Sequence, residues 1–344
     1  HAFYNPKQDL AQLADLNADE PAVMDHLVDA YLQWIAQGAD AFRIDTIRHQ
    51  PLPFWKTFSD RIRAEHPGFF MFGEAFDYDA TKIAPFTWPE NGGISLLDFP
   101  MKQALADAVG PKDAGFETLA APLALEHGPY ENPYELMTFY DNHDMARLDA
   151  TDDGFVDAHH WLFTARGTPV IYYGSETGFM RGMVEHSGNR NYFGRERIDA
   201  APQQRIHREL TRIARVRAAL PALQQGLQVN LELRGDRAAF LRVFRHAGVA
   251  QTALVLLNKG DAPATFRVAE YLQPGEWKAM LGGGAARVVG SDGVLEAEIP
   301  AHGAEVFVLD AEIAQPALQA RLRQLMAAAR RTTSAPPASA AGTR

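Results

Sequence analysis

The chain has 344 residues, 33 Lys and Arg against 43 Asp and Glu, and a formal net charge of −10. That balance lacks the basic stripe a nucleic-acid partner needs, and no run of about 18 apolar residues exists to span a membrane. The absence of cysteine removes disulfides, zinc–thiolate and iron–sulfur centres, and cysteine nucleophiles together.

With 47% hydrophobic and 10% aromatic residues the composition is globular. A chain of this length can bury roughly 75% of the surface its unfolded form exposes. Residue 1 is His, and no charged-then-apolar signal segment follows it.

The first 220 residues alternate helical and short strand-like segments. Pro21 marks a helix start behind the capping candidates Asn17 and Asp19, and Val23, Leu27, Tyr31, Leu32 and Ile35 recur at helical spacing until Gly38. Ala41 to Asp45 reads as a strand, Phe54 to His66 as a helix stopped by Pro67 and Gly68, and Phe69 to Glu74 as a second strand. Further strands are predicted at Ile94 to Phe99, Leu136 to Asp141 and Thr168 to Tyr173, the last after a helix over Val156 to Ala165. Short continuous apolar strands alternating with helices predict a parallel sheet covered by helices, either doubly wound or closed into a (β/α) barrel.

The pattern changes after Pro221. Seven short β-rich runs follow: Leu227 to Leu233, Ala238 to Phe244, Thr252 to Asn258, Ala264 to Val268, Ala286 to Val289, Leu295 to Ile299 and Glu305 to Leu309. Gly, Asp, Asn and Pro separate them, the pattern of a small antiparallel sandwich. Ala311 to Arg331 is predicted helical with Pro316 interrupting its start, and Thr332 to Arg344 has the composition of a disordered tail.

Three segments put a carboxylate at the C-terminal end of a predicted strand, where parallel α/β folds bind ligands. In the first, Arg43 and Asp45 are two apart and share a face, so the guanidinium can hold the carboxylate ionised, as a nucleophile requires. A buried structural ion pair explains the same residues equally well. In the second, the apolar run Phe69 to Phe72 and Gly73 lead into Glu74. Apolar surroundings raise a carboxyl pKa and suit a general acid, although a helix-capping Glu is the plainer reading. The third, Phe139 to Asp144, brings Asp141, Asn142, His143 and Asp144 together, which also reads as an Asx-rich turn or as metal ligation. No second His stands at metal-helix spacing. Adjacent parallel strands lie about 4.8 Å apart, so acids ending them can reach the roughly 5–5.5 Å separation of a retaining glycosidase pair.

Taken with Leu13 to Asn17, Ser95 to Phe99 and Gly167 to Gly174, these segments resemble the α-amylase family of retaining glycoside hydrolases over residues 1 to about 310. The subgroup most similar is that of the cyclodextrin glucanotransferases and neighbouring bacterial α-amylases. The resemblance implies a (β/α)8 TIM-type barrel followed by a C-terminal antiparallel β-sandwich. It divides the chain into residues 1–222, the C-terminal part of the barrel; 223–310, the sandwich; and 311–344, a helix and disordered tail. It implies Asp45 as nucleophile, Glu74 as general acid/base and Asp144 as the carboxylate that stabilises the oxocarbenium-like transition state. Arg43 would orient Asp45, His143 would hydrogen-bond the sugar, and Arg48 and His49 would lie near the acceptor subsites. Arg190 matches a residue that grips the donor sugar. His186 and Ala75 depart from the glucanotransferase pattern, which has an Asp and an aromatic residue there. Tyr4, Phe76, Trp88, Tyr140 and Tyr192 are candidates for stacking on sugar.

The resemblance also implies calcium, with Asp15 and the backbone carbonyl of His49 as two ligands of an incomplete set. Fewer than 40 residues precede the Arg43–Asp45 strand, where a family barrel carries three strands, so about five of eight strands are expected and a fragment of a longer enzyme is implied. The expected function is retaining cleavage of α-1,4-glucans, acting as a monomer in a secreted or periplasmic location, with α-glucan as the sole partner. Transglycosylation, including cyclodextrin formation, and glucan binding without turnover are the competing expectations. A nucleotide-dependent oxidoreductase is disfavoured, because no Gly-x-Gly-x-x-Gly follows a strand and Gly282 to Gly284 reads as a turn.

Overall fold

A computed structural model describes residues 2–6, 13–187 and 189–329. Strands β1 (Tyr4–Asn5) and β2 (Asp15–Leu16) form a small antiparallel pair. Helix α1 (Pro21–Ala36) begins with proline in its first turn and is capped by Glu20, whose carboxylate accepts from the Ala22 amide. The expected caps fall one turn too early: Asn17 instead closes an Asx turn by accepting from the Asp19 amide at 3.2 Å. The extended backbone immediately before Pro21 makes Glu20 the cap.

Five parallel strands follow: β3 (Ala41–Ile44), β4 (Phe70–Gly73), β5 (Ser95–Leu96), β6 (Met137–Thr138) and β7 (Thr168–Pro169). The ladder runs β3-β4-β5, crosses to β6 through a parallel bridge between Leu97 and Met137, and ends on β7. Each strand is where the sequence places it but shorter. Phe139 and Tyr140 stay buried after leaving the ladder, so their apolar character reports core packing, not strand pairing. Helices α2 (Leu52–Glu65), α3 (Ala80–Ile83), α4 (Phe99–Val109), α5 (Ala120–Leu123) and α6 (Asp152–Thr164) intervene, and α7 (Arg195–Ala200), α8 (Arg205–Ala219) and α9 (Pro221–Gln225) close this part of the chain. On β3, Phe42 and Ile44 are buried while Arg43 is not, so the period of two turns the charged residues away from the helices. Phe42 meets Tyr31 of α1 edge-on, with ring centroids 4.9 Å apart.

Eight antiparallel strands form the second part: β8 (Leu227–Arg234), β9 (Arg237–His246), β10 (Val249–Asn258), β11 (Ala264–Val268), β12 (Gly275–Ala279), β13 (Arg287–Val289), β14 (Leu295–Ile299) and β15 (Gly303–Leu309). Six of them order as β13-β12-β15-β10-β9-β8, and β11 pairs with β14 across a core containing Leu254, Leu256, Phe266, Trp277 and Ile299. Strand β12 escapes the sequence reading because Trp277 alone is buried between Glu276 and Lys278. Helix α10 (Pro316–Ala328) is capped by Gln315 and starts at Pro316; proline opens this helix, where its missing N–H costs nothing. The tail from Thr332 to Arg344 lies outside the described residues. One hydrophobic cluster runs from α4, α6 and α8 into β9, β10 and β15, which fuses the two parts; a second lies behind β3, β4 and β5.

Candidate active site

The C-terminal ends of β3, β4 and β6 bring together the charged residues that the sequence singled out. Asp45 follows β3 directly and Glu74 follows β4, and the Glu74 amide donates to the Ile44 carbonyl at 2.8 Å, fixing the two strand ends side by side. The Arg43 guanidinium forks between them, 2.6 Å from Asp45 Oδ1 and 2.9 Å from Glu74 Oε2.

The two carboxyls differ in environment. The Glu74 side chain is only 13% exposed, that of Asp45 66%. Burial, a hydrogen bond with Asp45 and the negative charges of Asp45 and Asp144 push the Glu74 pKa up, against the opposing pull of Arg43. For Asp45, partial burial works upward, but hydrogen bonds from Glu74 and Arg43 and the charges of Arg43 and His143 prevail and hold its pKa below the usual value. Burial and neighbouring charge thus favour the protonated form at Glu74 and the ionised form at Asp45. Environments that separate two carboxyl pKa values in this way divide the acid role from the nucleophile role.

Asp144 stands on the third segment. Its carboxylate is 2.9 Å from His143 Nε2 and is also paired with Arg190. The Asn142 side-chain oxygen accepts from the amides of Asp144 and Met145, each at 2.9 Å, so the predicted Asx turn exists and presents Asp144. Asp141 does something else. It is buried, accepts from Ser175 Oγ at 2.7 Å, and burial pushes its pKa up. Spacing alone did not separate these two aspartates.

Arg48 is bonded to the Phe76 carbonyl and lies 3.4 Å from Asp77. With Thr46, His49, Glu74 and Phe76 it lines a cavity of about 380 Å3 beside the acid. Among the stacking candidates, Phe76 is exposed on this cavity and Tyr192 is exposed on the loop that carries Arg190. Tyr140 is core, bonded to His159 Nε2 at 2.7 Å, and Trp88 lies before β5, away from the strand ends, where it donates to the Pro129 carbonyl. Tyr4 is exposed on the β1–β2 pair. His186 contacts Glu185 at 3.2 Å.

Asp15 and His49 line one cavity of about 290 Å3 that also reaches Asp45. The Asp15 carboxylate accepts from the Asn5 amide group at 3.3 Å, and among the described residues no three or more His, Asp or Glu side chains are grouped to hold an ion. One carboxylate and one carbonyl fall well short of the six to eight oxygens calcium takes, so the residues described do not make that site by themselves.

A sequence reading that stopped at the acids missed what lies behind them. Buried Arg147 and Asn189, with half-buried Tyr172 and exposed Tyr173, form a hydrogen-bonded scaffold beside Asp144 and Arg190. Their signals were the nearness of Arg147 to the Asn142-to-Asp144 segment, the place of Tyr172 and Tyr173 within Gly167 to Gly174, and that of Asn189 beside Arg190.

Three carboxylates thus gather beyond the ends of parallel strands, two of them with pKa values driven apart. The chain belongs to the alpha-amylase family, whose alpha amylase catalytic domain matches residues 1–212. It is 26% identical over 351 residues to an alpha-amylase of Streptomyces lividans, covering 90% of this chain and 38% of that one. It is 30% identical over 303 residues to a cyclomaltodextrin glucanotransferase of Geobacillus stearothermophilus, covering 84% of this chain and 40% of that one. The crystal structure of an alpha-amylase from Geobacillus thermoleovorans complexed with acarbose superposes with a TM-score of 0.77 at 25% identity, over 90% of this chain and 72% of that one. The chain thus spans well under half the length of the curated relatives it matches.

Proposed function

We propose that this chain carries the catalytic centre of a retaining α-glycoside hydrolase that cleaves α-1,4-glucans, built on the C-terminal strands of a (β/α)8 barrel. The observation that carries the reading is the Asp45–Arg43–Glu74 constellation. One guanidinium touches both carboxyls, at 2.6 and 2.9 Å, and so holds them side by side, which favours the close spacing of a retaining pair over the about 6.5–9.5 Å of an inverting one. Asp45 attacks the anomeric carbon while Glu74 protonates the departing glycosidic oxygen, so one C–O bond forms as the other breaks. The resulting Glu74 carboxylate then takes a proton from water, which displaces Asp45 and restores both groups. Asp144, braced by His143 and Arg190, faces the positive charge that develops on the sugar ring. Calcium at Asp15 and the His49 carbonyl would need ligands beyond those two, and no step depends on it.

The test is incubation of the purified chain with soluble starch, with Glu74→Gln as control and chromatographic separation of products. Linear maltooligosaccharides from the wild type alone are expected. Equal products from both proteins would refute the role of Glu74, cyclic products would make the chain a transglycosylase, and glucan binding with no product would make it a binding protein.

A further inference from the structure

Arg147 carries a buried guanidinium that the reaction outlined above does not use. Its side chain is 2% exposed and lies over the rings of Tyr172, Tyr173 and Phe179, at 4.5, 5.0 and 5.6 Å from their centroids. Among the described residues no carboxylate pairs with it directly. Ser175 bridges the two charges: its hydroxyl is 3.4 Å from Arg147 Nη1 and donates to Asp141 at 2.7 Å. The guanidinium donates instead to two main-chain carbonyls, Tyr173 at 2.8 Å and Asn189 at 3.3 Å.

Those carbonyls belong to the two stretches of chain beneath the donor side of the site. The Asn189 carbonyl also accepts from the Tyr172 hydroxyl at 2.8 Å, and the Asn189 side-chain amide donates to the His143 carbonyl. The Tyr173 hydroxyl donates to the Asn191 carbonyl at 2.5 Å. Both neighbours of Arg190 are therefore tied down, and Arg190, itself 64% exposed, reaches across to Asp144. An exposed arginine held at one point only would sample many rotamers, and fixing its backbone on both sides removes much of that freedom.

We infer that Arg147 is the positioning residue of the donor-side loop. It touches neither substrate nor the reacting atoms; through Asn189 it holds Arg190 against Asp144. This rests on the reading of Asp144 as a sugar-gripping carboxylate. Lysine keeps the charge that Asp141 needs nearby but cannot fork to two carbonyls, so Arg147→Lys separates positioning from charge burial.

The experiment is a double-mutant cycle between Arg147→Lys and Arg190→Ala, read as kcat/KM on a chromogenic maltooligosaccharide and as calorimetric affinity for maltoheptaose. Hydrogen exchange across residues 189–194 is followed in parallel. Arg147→Lys is expected to lower kcat/KM about tenfold with Arg190 present and less than about twofold in the Arg190→Ala background. Exchange should accelerate locally at Asn189 to Asn191. Tyr172→Phe, which removes a single hydroxyl, should move both readouts the same way by less, and decides the matter if the lysine variant fails to fold. Equal losses in both backgrounds, or unchanged exchange in this loop, would overturn the inference. A wild type that neither binds nor cleaves maltooligosaccharide would defeat the proposed function alone, and the exchange data would then decide the loop assignment.

Discussion

Replacing Arg43 by Gln removes the cation that, among the described residues, bridges Asp45 and Glu74, the two carboxyls proposed to react. Arg43 makes two charge-assisted bonds of unequal weight. The Asp45 carboxylate is 66% exposed, so water screens its bond to the range of a surface pair, under about 1 kcal/mol. Glu74 is 13% exposed, and its bond falls in the range of protected hydrogen bonds to charge, about 1.5–3 kcal/mol. Part of that second bond favours ionised Glu74, which is the wrong state for an acid, so the whole sum does not reach the transition state. A net loss of about 2 kcal/mol, or about 30-fold in kcat/KM, is expected. The pH profile carries the sharper signature. Activity needs Asp45 ionised and Glu74 protonated, so it rises through the Asp45 pKa and falls through the Glu74 pKa. Arg43 lowers both, so its removal moves both limbs to higher pH. The assay is kcat/KM against pH for wild type and Arg43→Gln on one maltooligosaccharide. A loss smaller than about threefold, or limbs that stay put or move toward acid, would refute the assignment of Arg43 as the shared orienting cation.

Glu74→Gln should abolish turnover of unactivated glucans and leave the circular dichroism spectrum unchanged; near-normal activity would remove Glu74 from the acid role. Asp45→Ala should prevent mass-spectrometric trapping of a glycosyl adduct, and an adduct found on another residue would identify a different nucleophile. His302→Gln should destabilise the chain by about 2–3 kcal/mol in chemical denaturation, because it leaves the buried Asp157 without its partner at 2.8 Å. The hydrogen bond to Asp157, opposed by desolvation and aided by Asp261, raises the His302 pKa to about 9. A raised histidine stabilises fully below its unfolded value of 6.5 and loses that contribution as pH climbs through about 9, so the gap between wild type and variant should shrink over that window. A gap that is constant with pH would contradict the pairing.

The parallel strands and most of the antiparallel ones were legible because burial writes itself into sequence as period. Phe42 and Ile44 alternate with Arg43, and Leu295, Ala297 and Ile299 alternate with Glu296 and Glu298. The candidate acids stood out only in combination: each carboxylate after its apolar strand had a plain structural reading, and their common place at strand ends together with the family resemblance singled them out. Strand β12 was not legible, since one buried Trp277 among charged neighbours gives no period. Asp141 and Asp144, three residues apart in one turn, were separated by the resemblance and not by their spacing; the fold turns Asp141 inward to Ser175 and Asp144 out to His143 and Arg190. The scaffold around Arg147 was hidden more deeply, because its bonds go to carbonyls, which every residue possesses.

The same preference for carbonyls explains how the antiparallel part supports the site. Arg242 of β9 is fully buried with no carboxylate among its hydrogen-bond partners; it donates to the carbonyls of Thr164 and Gly226, and burial lowers its pKa to about 9. Arg217 of α8 donates to the carbonyls of Phe163, Ala165 and Gly167. All of these carbonyls but Gly226 lie at and just past the C-terminus of α6, where the helix dipole leaves unsatisfied acceptors and favours positive charge. Two cations thus cap one helix end, one of them supplied by the antiparallel sheet. The other end of α6 is held by Arg181, which pairs with Asp152 at 2.6 Å and follows the Tyr172–Tyr173 stretch beneath the donor side. Helix α6 thus lies between Arg242 of the sheet and Arg181 of the segment that precedes Arg190. Weakening the cap, as in Arg242→Met, should loosen the site-side loop in hydrogen exchange even though the change lies on a β-strand of the other part of the chain. Exchange that changes only near α6 and β9 would show that the two ends of the helix respond independently.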